Sequence, residues 1–351
     1  MNFKDELIAT AKNICAPGKG ILAADESTGT IGKRFEAISV ENTEDNRRAY
    51  RELLFTSPRI EENISGVIMN KETVDQSSAD GKNFVELLSS RGIAAGIKLD
   101  KGIVPIGGTD GETATQGLDG LGARAAEFYA KGCRFAKWRA VLKIGNGCPS
   151  MCAIRETAHT LARYGSICQD NGLVPIIEPE ILSDGDHSID ECARVSELVF
   201  RTVMQAMLDQ NLIIEGTLLK PNMITAGATH PEQGTPEQIA WLTVRTLSRS
   251  IVPALPGVVF LSGGQPEESA SLNLNAMNKL ENIAKPWALT FSYGRALQQS
   301  VLKAWRGDVA NVAAAQAALL ERAQANGSAA KGTYQGGSGD TASTYVANYS
   351  Y

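Results

Sequence analysis

The sequence predicts an α/β fold, a closed (β/α)8 TIM barrel with a flexible C-terminal arm, from three observations. Short apolar runs rich in β-forming residues recur eight times, helical segments separate them, and most runs end in a charged or polar side chain. Strands that alternate with helices indicate parallel βα units, and eight such units close a barrel. A doubly wound open sheet is the alternative, but it would need a GxGxxG turn after an early strand, and the sequence has none.

The elements follow one another in a regular order. Three helix starts are marked by capping residues: Thr43 precedes two acidic residues, and Ser188 with Glu191 and Thr235 with Gln238 have capping-box spacing. These signals predict helices between consecutive strands. The predicted strands are 20–25, 65–70, 94–100, 133–138, 173–180, 213–220, 257–264 and 286–294.

The end of the chain differs in composition. Residues 323–351 are rich in Gly, Ala, Ser and Thr and contain few core-forming residues apart from tyrosines. Such a segment is expected to have no fixed structure of its own, so we expect residues 1–322 to form the barrel domain and residues 323–351 the arm. Plain disorder is the simpler interpretation. The alternative is that Tyr351, the last residue, visits a site on the barrel.

The composition argues against several classes of function. The net charge of -5 and the pI near 5.5 are not those of a nucleic-acid-binding protein. No apolar run approaches the roughly 18 residues of a membrane span, and the N-terminal segment lacks the apolar core of a signal peptide, so we expect a cytoplasmic protein without membrane association. Six cysteines without a disulfide framework and three histidines without zinc-ligand spacing disfavour a metal-dependent mechanism, and no cofactor is predicted.

The sixth predicted strand ends in a lysine. Lys220 follows an apolar, β-prone run and stands directly before Pro221, which cannot continue a strand ladder. A buried ammonium loses its proton more easily than a solvated one, and a neutral lysine can form a Schiff base with a carbonyl substrate. Taken alone, a lysine that merely leaves a strand and reaches solvent is the simpler interpretation.

The other strand ends change that interpretation. Active sites of such barrels lie at the carboxyl ends of the strands, and charged side chains are costly to bury there unless they are paired. Ion pairs that seal the barrel mouth would explain each residue singly, but the set favours a catalytic cluster with a nucleophilic amine, neighbouring cations and proton-shuttling carboxylates. Its members are Asp25, Lys98, Lys137, Arg139, Glu178, Glu180 and Lys220.

Two glycine-containing turns predict a phosphate site. Ser262 and Gly263 follow the seventh strand and Gly294 and Arg295 follow the eighth, where barrels commonly bind phosphate. A second cationic patch follows the first strand and contains Ser27, Thr30, Lys33 and Arg34. Two sites on opposite rims suggest a substrate phosphorylated at both ends, although a solvated loop explains the second patch equally well.

Eight motifs, in order from about residue 5 to 322, together resemble class I fructose-1,6-bisphosphate aldolase. They are ILAADEST, ENTEDNRRAYRELLF, GIKLDKG, FAKWRAVLKI, IIEPEIL, LLKPNM, LSGGQ and FSYGRALQ. The resemblance implies a metal-independent lyase of glycolysis and gluconeogenesis that cleaves fructose 1,6-bisphosphate reversibly to dihydroxyacetone phosphate and glyceraldehyde 3-phosphate. It also implies a homotetramer.

The resemblance further implies residue roles. Lys220 is similar to the Schiff-base lysine, Glu178 to the acid/base of carbinolamine dehydration, and Asp25 to the group that handles the C4 hydroxyl proton. Lys137 would assist these steps, and Tyr351 would help proton exchange at the enamine. Glu180 and Arg139 would supply supporting charges. The C1-phosphate site would be formed by Ser262, Gly263, Gly294 and Arg295. The other phosphate end would be contacted by Ser27, Arg34 and Lys98, with Thr30 where animal enzymes carry serine.

Three alternatives remain. Another Schiff-base barrel enzyme, such as a transaldolase or deoxyribose-phosphate aldolase, needs only one phosphate site. A metal-dependent class II aldolase is disfavoured by the histidine count. A binding or scaffold protein without the chemistry is disfavoured by the complete set of Lys220, Glu178, Asp25 and Lys137.

Overall fold

The computed structural model describes residues 3–347 and contains a closed barrel of eight parallel strands. Each predicted strand region overlaps a barrel strand, so the (β/α)8 prediction is confirmed. Parallel pairing between the first and last strands, including Ile21 with Ser292, closes the barrel. The strands are β1 (Gly20–Ala24), β2 (Ile64–Met69), β3 (Ala94–Lys98), β4 (Ile103–Pro105), β5 (Thr113–Thr115), β6 (Phe135–Leu142), β7 (Val174–Ile181), β8 (Leu218–Leu219), β9 (Gly257–Phe260) and β10 (Ala288–Tyr293); β4 and β5 form a separate antiparallel hairpin.

Helices follow the strands, and the three predicted N-caps are formed. Thr235 and Gln238 form the complete capping box, whereas Ser188 accepts the N–H of Glu191 but the Glu191 carboxylate pairs with Arg194. The helices are α1 (Lys4–Ile14), α2 (Thr28–Glu36), α3 (Glu44–Phe55), α4 (Lys71–Val74), α5 (Phe84–Ser90), α6 (Leu121–Ala130), α7 (Met151–Asp170), α8 (Ile189–Asp209), α9 (Pro236–Ser250), α10 (Glu267–Lys279), α11 (Arg295–Trp305) and α12 (Val312–Ala329). None of the helices among residues 3–347 is long and apolar enough to cross a membrane.

Apolar side chains fill the barrel interior. Phe135 is fully buried, and a Cβ placed at Gly96 would lie only 2.2 Å from its ring, so glycine there makes room for the aromatic side chain. Leu7 and Ile14 of α1 belong to the same buried cluster. The polar ends of the strands are therefore the part of the barrel that is open to a substrate.

The sixth barrel strand is shorter than the sequence predicts. Residues Ile214–Gly216 form a 3₁₀ turn, and only the two residues of β8 pair with neighbouring strands. The side chain of Gln169 bonds the backbone of Ile213 and accounts for the difference, since it satisfies polar groups that a strand ladder would otherwise satisfy. Beyond β8, the Lys220 N–H donates to the Ile177 carbonyl at 2.8 Å, which fixes the position of the lysine.

The C-terminal region differs from the expectation of an arm without fixed structure from residue 323. Helix α12 crosses the predicted boundary and runs to Ala329. Its packing depends on small residues, which composition does not mark as core: Ala323 is fully buried, and a Cβ at Gly327 would lie 2.2 Å from Asn63 Nδ2. The chain then continues across the barrel as far as Ala347, while Tyr351 lies outside the described residues.

A glutamate at the start of α10 holds this C-terminal segment. The Glu268 carboxylate accepts the N–H of Gly337 at 2.7 Å, the N–H of Gly339 at 2.9 Å and the hydroxyl of Tyr334 at 2.6 Å. Burial opposes ionisation of Glu268, but these donors hold its pKa below the usual value. Two of the three donors are backbone N–H groups. The contact therefore leaves no pattern of large apolar side chains in the sequence.

Candidate active site

Four charged side chains predicted to be catalytic form one buried cluster. The Lys220 ammonium nitrogen lies 3.1 Å from Glu178 Oε1, and Lys137 Nζ lies 3.5 Å from Glu178 Oε2 and 2.8 Å from Asp25 Oδ2. Lys220 is 4% exposed and Lys137 is fully buried. Asp25 and Lys220 directly follow β1 and β8, whereas Lys137 and Glu178 lie within β6 and β7, and the parallel barrel brings the four together. The arrangement places the Lys220 amine beside a carboxylate that can exchange protons with it, as a lysine nucleophile would require.

The cations determine the state of Asp25. Burial alone would raise the pKa of its carboxyl, but Lys137, Lys220 and Lys98 outweigh burial and lower the pKa from 3.8 to about 2. Asp25 is therefore ionised at neutral pH, and its charge is held against Lys137. A carboxylate in this state can accept a proton from a hydroxyl whose acidity rises during the reaction.

Arg139 and Glu180 form a second ion pair beside the cluster. Arg139 Nε donates to Glu180 Oε2 at 2.5 Å, and both side chains are almost completely buried. Burial raises the pKa of the Glu180 carboxyl, but the positive charges of Arg139, Arg295 and Lys220 lower it by more, so the pKa lies below its usual value. The pair therefore contributes fixed charges of both signs next to Lys220.

The predicted C1-phosphate residues lie together at the loops after β9 and β10. Gly263 has a φ of +57°, a left-handed conformation that favours glycine, and a Cβ at Gly294 would lie 3.4 Å from the Ala23 carbonyl. Helix α11 begins at Arg295, so its first backbone N–H groups belong to the same rim as this side chain. The Arg295 Nη1 donates to the Thr344 carbonyl at 2.6 Å, so the anchored C-terminal segment reaches this rim.

One cavity brings most of the predicted residues together, and the others lie around it. Lys137 does not line the cavity but contacts Asp25 and Glu178, which do. Ser27 caps α2 and shares a 3.0 Å hydrogen bond with Thr30, whereas Lys98 pairs with Asp100; none of Ser27, Thr30 and Lys98 lines the cavity. The predicted residues that line it are Asp25, Arg34, Arg139, Glu178, Glu180, Lys220, Ser262, Gly263, Gly294 and Arg295.

Two buried carboxylates were missed by the sequence interpretation. Glu26 accepts Arg34 and Arg51, the latter at 2.6 Å, and so orients one of the cavity arginines. Asp100 lies 2.7 Å from Lys98 Nζ and 3.9 Å from Lys137 Nζ. Each acid stands one or two residues after a predicted site residue, and that proximity was the available signal.

Among residues 3–347, no group of three or more His, Cys, Asp and Glu residues has the geometry of a metal site.

Comparison with known proteins agrees with this geometry. A family model described as class I fructose-bisphosphate aldolase matches residues 6–351. The chain is 60% identical over 353 residues to the cytosolic fructose-bisphosphate aldolase 5 of Arabidopsis thaliana, covering 99% of this chain and 98% of that protein. It is 58% identical over 356 residues to the fructose-bisphosphate aldolase of Dictyostelium discoideum, covering 99% of each.

A solved structure is similar across the whole barrel. The fructose-bisphosphate aldolase of Plasmodium falciparum, crystallised with TRAP and a small-molecule inhibitor, superposes with a TM-score of 0.94 at 54% identity. The match covers 96% of this chain and 97% of the other. On the family match, on these identities and on the shared fold, the chain belongs to the class I fructose-bisphosphate aldolases.

Proposed function

We propose that Lys220 is the Schiff-base nucleophile of this class I fructose-bisphosphate aldolase, a lyase that cleaves fructose 1,6-bisphosphate reversibly. The observation that carries the proposal is the buried Lys220 amine, 3.1 Å from Glu178, in a cavity that also contains Arg34 and Arg295. The amine and the carboxylate supply imine chemistry, and the two arginines supply charge for phosphate groups.

The reaction begins with imine formation. The neutral Lys220 amine adds to the C2 carbonyl of the open-chain sugar, and Glu178 donates the proton with which the carbinolamine hydroxyl leaves as water. The resulting iminium is the electron sink for cleavage of the C3–C4 bond. General acid–base steps of this kind contribute typically about 10²–10⁴-fold to the rate.

Carbon–carbon cleavage then needs a base at the C4 hydroxyl. We assign this role to Asp25, which is ionised beside Lys137. As the C4 hydroxyl loses its proton, the C3–C4 electron pair moves into the iminium, glyceraldehyde 3-phosphate leaves and an enamine remains. Protonation at C3, for which Tyr351 is the proposed donor, and hydrolysis of the imine release dihydroxyacetone phosphate and return Lys220 to its amine form.

Two groups of residues would hold the two phosphates. Two glycine turns and the start of α11 favour a C1-phosphate site at Ser262, Gly263, Gly294 and Arg295, where backbone N–H groups and a guanidinium meet. For the other phosphate end we propose Arg34, supported by its place in the cavity, with Ser27, Thr30 and Lys98 completing the contacts on substrate binding. Sugar phosphates are thus the substrate class.

We also propose that the chain forms a homotetramer in the cytoplasm. The Arabidopsis relative is named cytosolic, which supports the compartment. Trp241 on α9 is 45% exposed and lies one helical turn from Arg245, which lines a surface pocket together with Glu197 and Arg201 of α8. Aromatic and arginine side chains are enriched at protein–protein interfaces, so an exposed tryptophan near these arginines supports an assembly. Light scattering at several protein concentrations measures the mass of the assembly.

Borohydride trapping tests the central proposal. The protein is reduced with borohydride in the presence of dihydroxyacetone phosphate, and the labelled peptide is identified by mass spectrometry. We expect the label on Lys220 and none in Lys220→Ala. A label on Lys98 or Lys137, or no label in the native protein, would overturn the assignment. Activity that disappears with EDTA would instead favour a metal-dependent reaction.

A further inference from the structure

Asp100 is a buried carboxylate whose position is fixed by contacts on several sides. It follows β3 by two residues, and its side chain is only 1% exposed. Oδ1 accepts the N–H of Gly102 at 3.3 Å, and Oδ2 accepts the N–H of Arg139 at 3.4 Å. These two backbone donors come from neighbouring elements, so the carboxylate has little freedom to rotate.

The hairpin of β4 and β5 keeps Asp100 away from solvent. The Lys101 N–H donates to the Gln116 carbonyl at 2.9 Å, and the Gln116 N–H donates to the Gly102 carbonyl at the same distance. Thr115 Oγ1 also donates to the Arg139 carbonyl at 2.8 Å. The backbone hydrogen bonds of Lys101 and Gly102 with Gln116 thus close a loop directly after Asp100. This loop explains why the acid is buried at the edge of the barrel.

Asp100 orients Lys98 through two of its own groups. Lys98 Nζ lies 2.7 Å from Asp100 Oδ1 and donates to the Asp100 carbonyl oxygen at 3.3 Å. Because side chains alternate along an extended chain, residues two apart share a face, which allows this contact. A hydrogen bond between charged groups is shorter and stronger than a neutral one, so the carboxylate restricts the conformers of the long lysine side chain.

We propose that Asp100 is a positioning residue that sets the preference of this enzyme for substrates phosphorylated at the end that Lys98 contacts. The proposal rests on the proposed function, in which Lys98 contacts the phosphate farther from C1. Asp100 does not touch the substrate; it holds the Lys98 ammonium beside the cavity, near Asp25, from where the lysine completes its contact with that phosphate when the substrate binds. The 3.9 Å separation between Asp100 Oδ2 and Lys137 Nζ adds a smaller influence on the reacting centre, which any substrate would experience.

Two substrates separate these effects. Fructose 1,6-bisphosphate has both phosphates, whereas fructose 1-phosphate lacks the one assigned to Lys98. In Asp100→Asn we expect the ratio of kcat/KM for the bisphosphate to kcat/KM for the monophosphate to fall about tenfold, since a charge-assisted contact is lost. If Asp100→Asn acts only through Lys137, kcat/KM changes equally for both substrates and the ratio stays the same.

A variant cycle and a control complete the test. Lys98→Met lowers the ratio to a similar extent, and the double variant lowers it no further, because both changes remove one contact. Glu112→Gln alters another buried carboxylate near the hairpin, which accepts the N–H of Ser150 at 2.7 Å, and leaves the ratio unchanged.

The outcomes also distinguish this proposal from the proposed function. An unchanged ratio in Asp100→Asn with a lowered ratio in Lys98→Met overturns the role of Asp100 alone. An unchanged ratio in Lys98→Met overturns the phosphate contact of Lys98 and this proposal with it. If Asp100→Asn does not fold, Asp100→Glu keeps the charge and displaces it by one methylene; it lowers the ratio if Asp100 sets the position of Lys98, and an unchanged ratio overturns the proposal.

Discussion

The two carboxylate oxygens of Glu178 face two different lysines, with Oε1 3.1 Å from Lys220 Nζ and Oε2 3.5 Å from Lys137 Nζ. Glu178 can therefore exchange a proton with Lys220, the proposed nucleophile, while Lys137 compensates its charge. In Glu178→Gln we expect kcat to fall about 10²–10³-fold, because an amide cannot transfer this proton.

Single-turnover borohydride trapping measures the same step directly. In Glu178→Gln the label should remain on Lys220 but should form more slowly, in proportion to the loss of kcat. A trapping rate equal to that of the native protein would show that Glu178 acts elsewhere in the reaction.

Lys137 is fully buried between carboxylates, so its removal should destabilise the fold. Lys137→Met leaves Asp25 and Glu178 without this cation, and breaking a buried pair in this way typically costs about 3–5 kcal/mol. Urea unfolding measures the loss. Lys131→Met is the control, because Lys131 pairs with Asp75 and Glu127 at the surface and its loss should be much smaller. Equal losses in the two variants would contradict the prediction.

The low pKa of Asp25 predicts a dependence of stability on pH. Folding lowers this pKa from 3.8 to about 2, so the ionised form stabilises the fold above pH 3.8. That contribution, about 2 kcal/mol, is lost as the pH falls from 3.8 toward 2. Between pH 5 and pH 2, the free energy of unfolding should therefore fall less steeply in Asp25→Asn than in the native protein. Parallel curves from urea unfolding would refute the assignment.

The three donors on Glu268 predict that a single atom change loosens the C-terminal segment. In Glu268→Gln, an amide NH₂ replaces one acceptor of Gly337, Gly339 or Tyr334, so at least one buried contact is lost. Proteolysis between residues 335 and 347 should become roughly tenfold faster, as followed by mass spectrometry. Glu321→Gln, an exposed change on α12, should leave the cleavage rate unaltered. Equal rates in all three proteins would show that Glu268 does not anchor the segment.

Tyr351 is predicted to act in proton exchange, so its deletion should slow turnover more than it weakens binding. We expect kcat to fall while the inhibition constant of a non-cleavable bisphosphate stays the same. The exchange of the C3 proton of dihydroxyacetone phosphate with solvent should slow in parallel. Turnover equal to that of the full chain would contradict this role of Tyr351.

The sequence predicted the barrel because each strand combines an apolar run with a chemically distinct end, as Leu219 and Lys220 do. It did not predict the 3₁₀ turn before them, since the turn depends on Gln169, a distant residue in α7. Asp100 was missed because its role depends on the hairpin that buries it. The extent of α12 was missed because Gly327 and its alanine neighbours pack by close approach, a contribution that hydrophobicity does not record.

The shortness of β8 has a consequence for changes in chain length. Only Leu218 and Leu219 set its pairing with β7 and β9, and alternation along an extended chain determines which way Lys220 points. Inserting or deleting one residue between Gly216 and Leu218 would leave the surrounding helices in place but turn the amine away from Glu178. We therefore expect this segment to be more sensitive to a change of length than the helix–strand loops elsewhere.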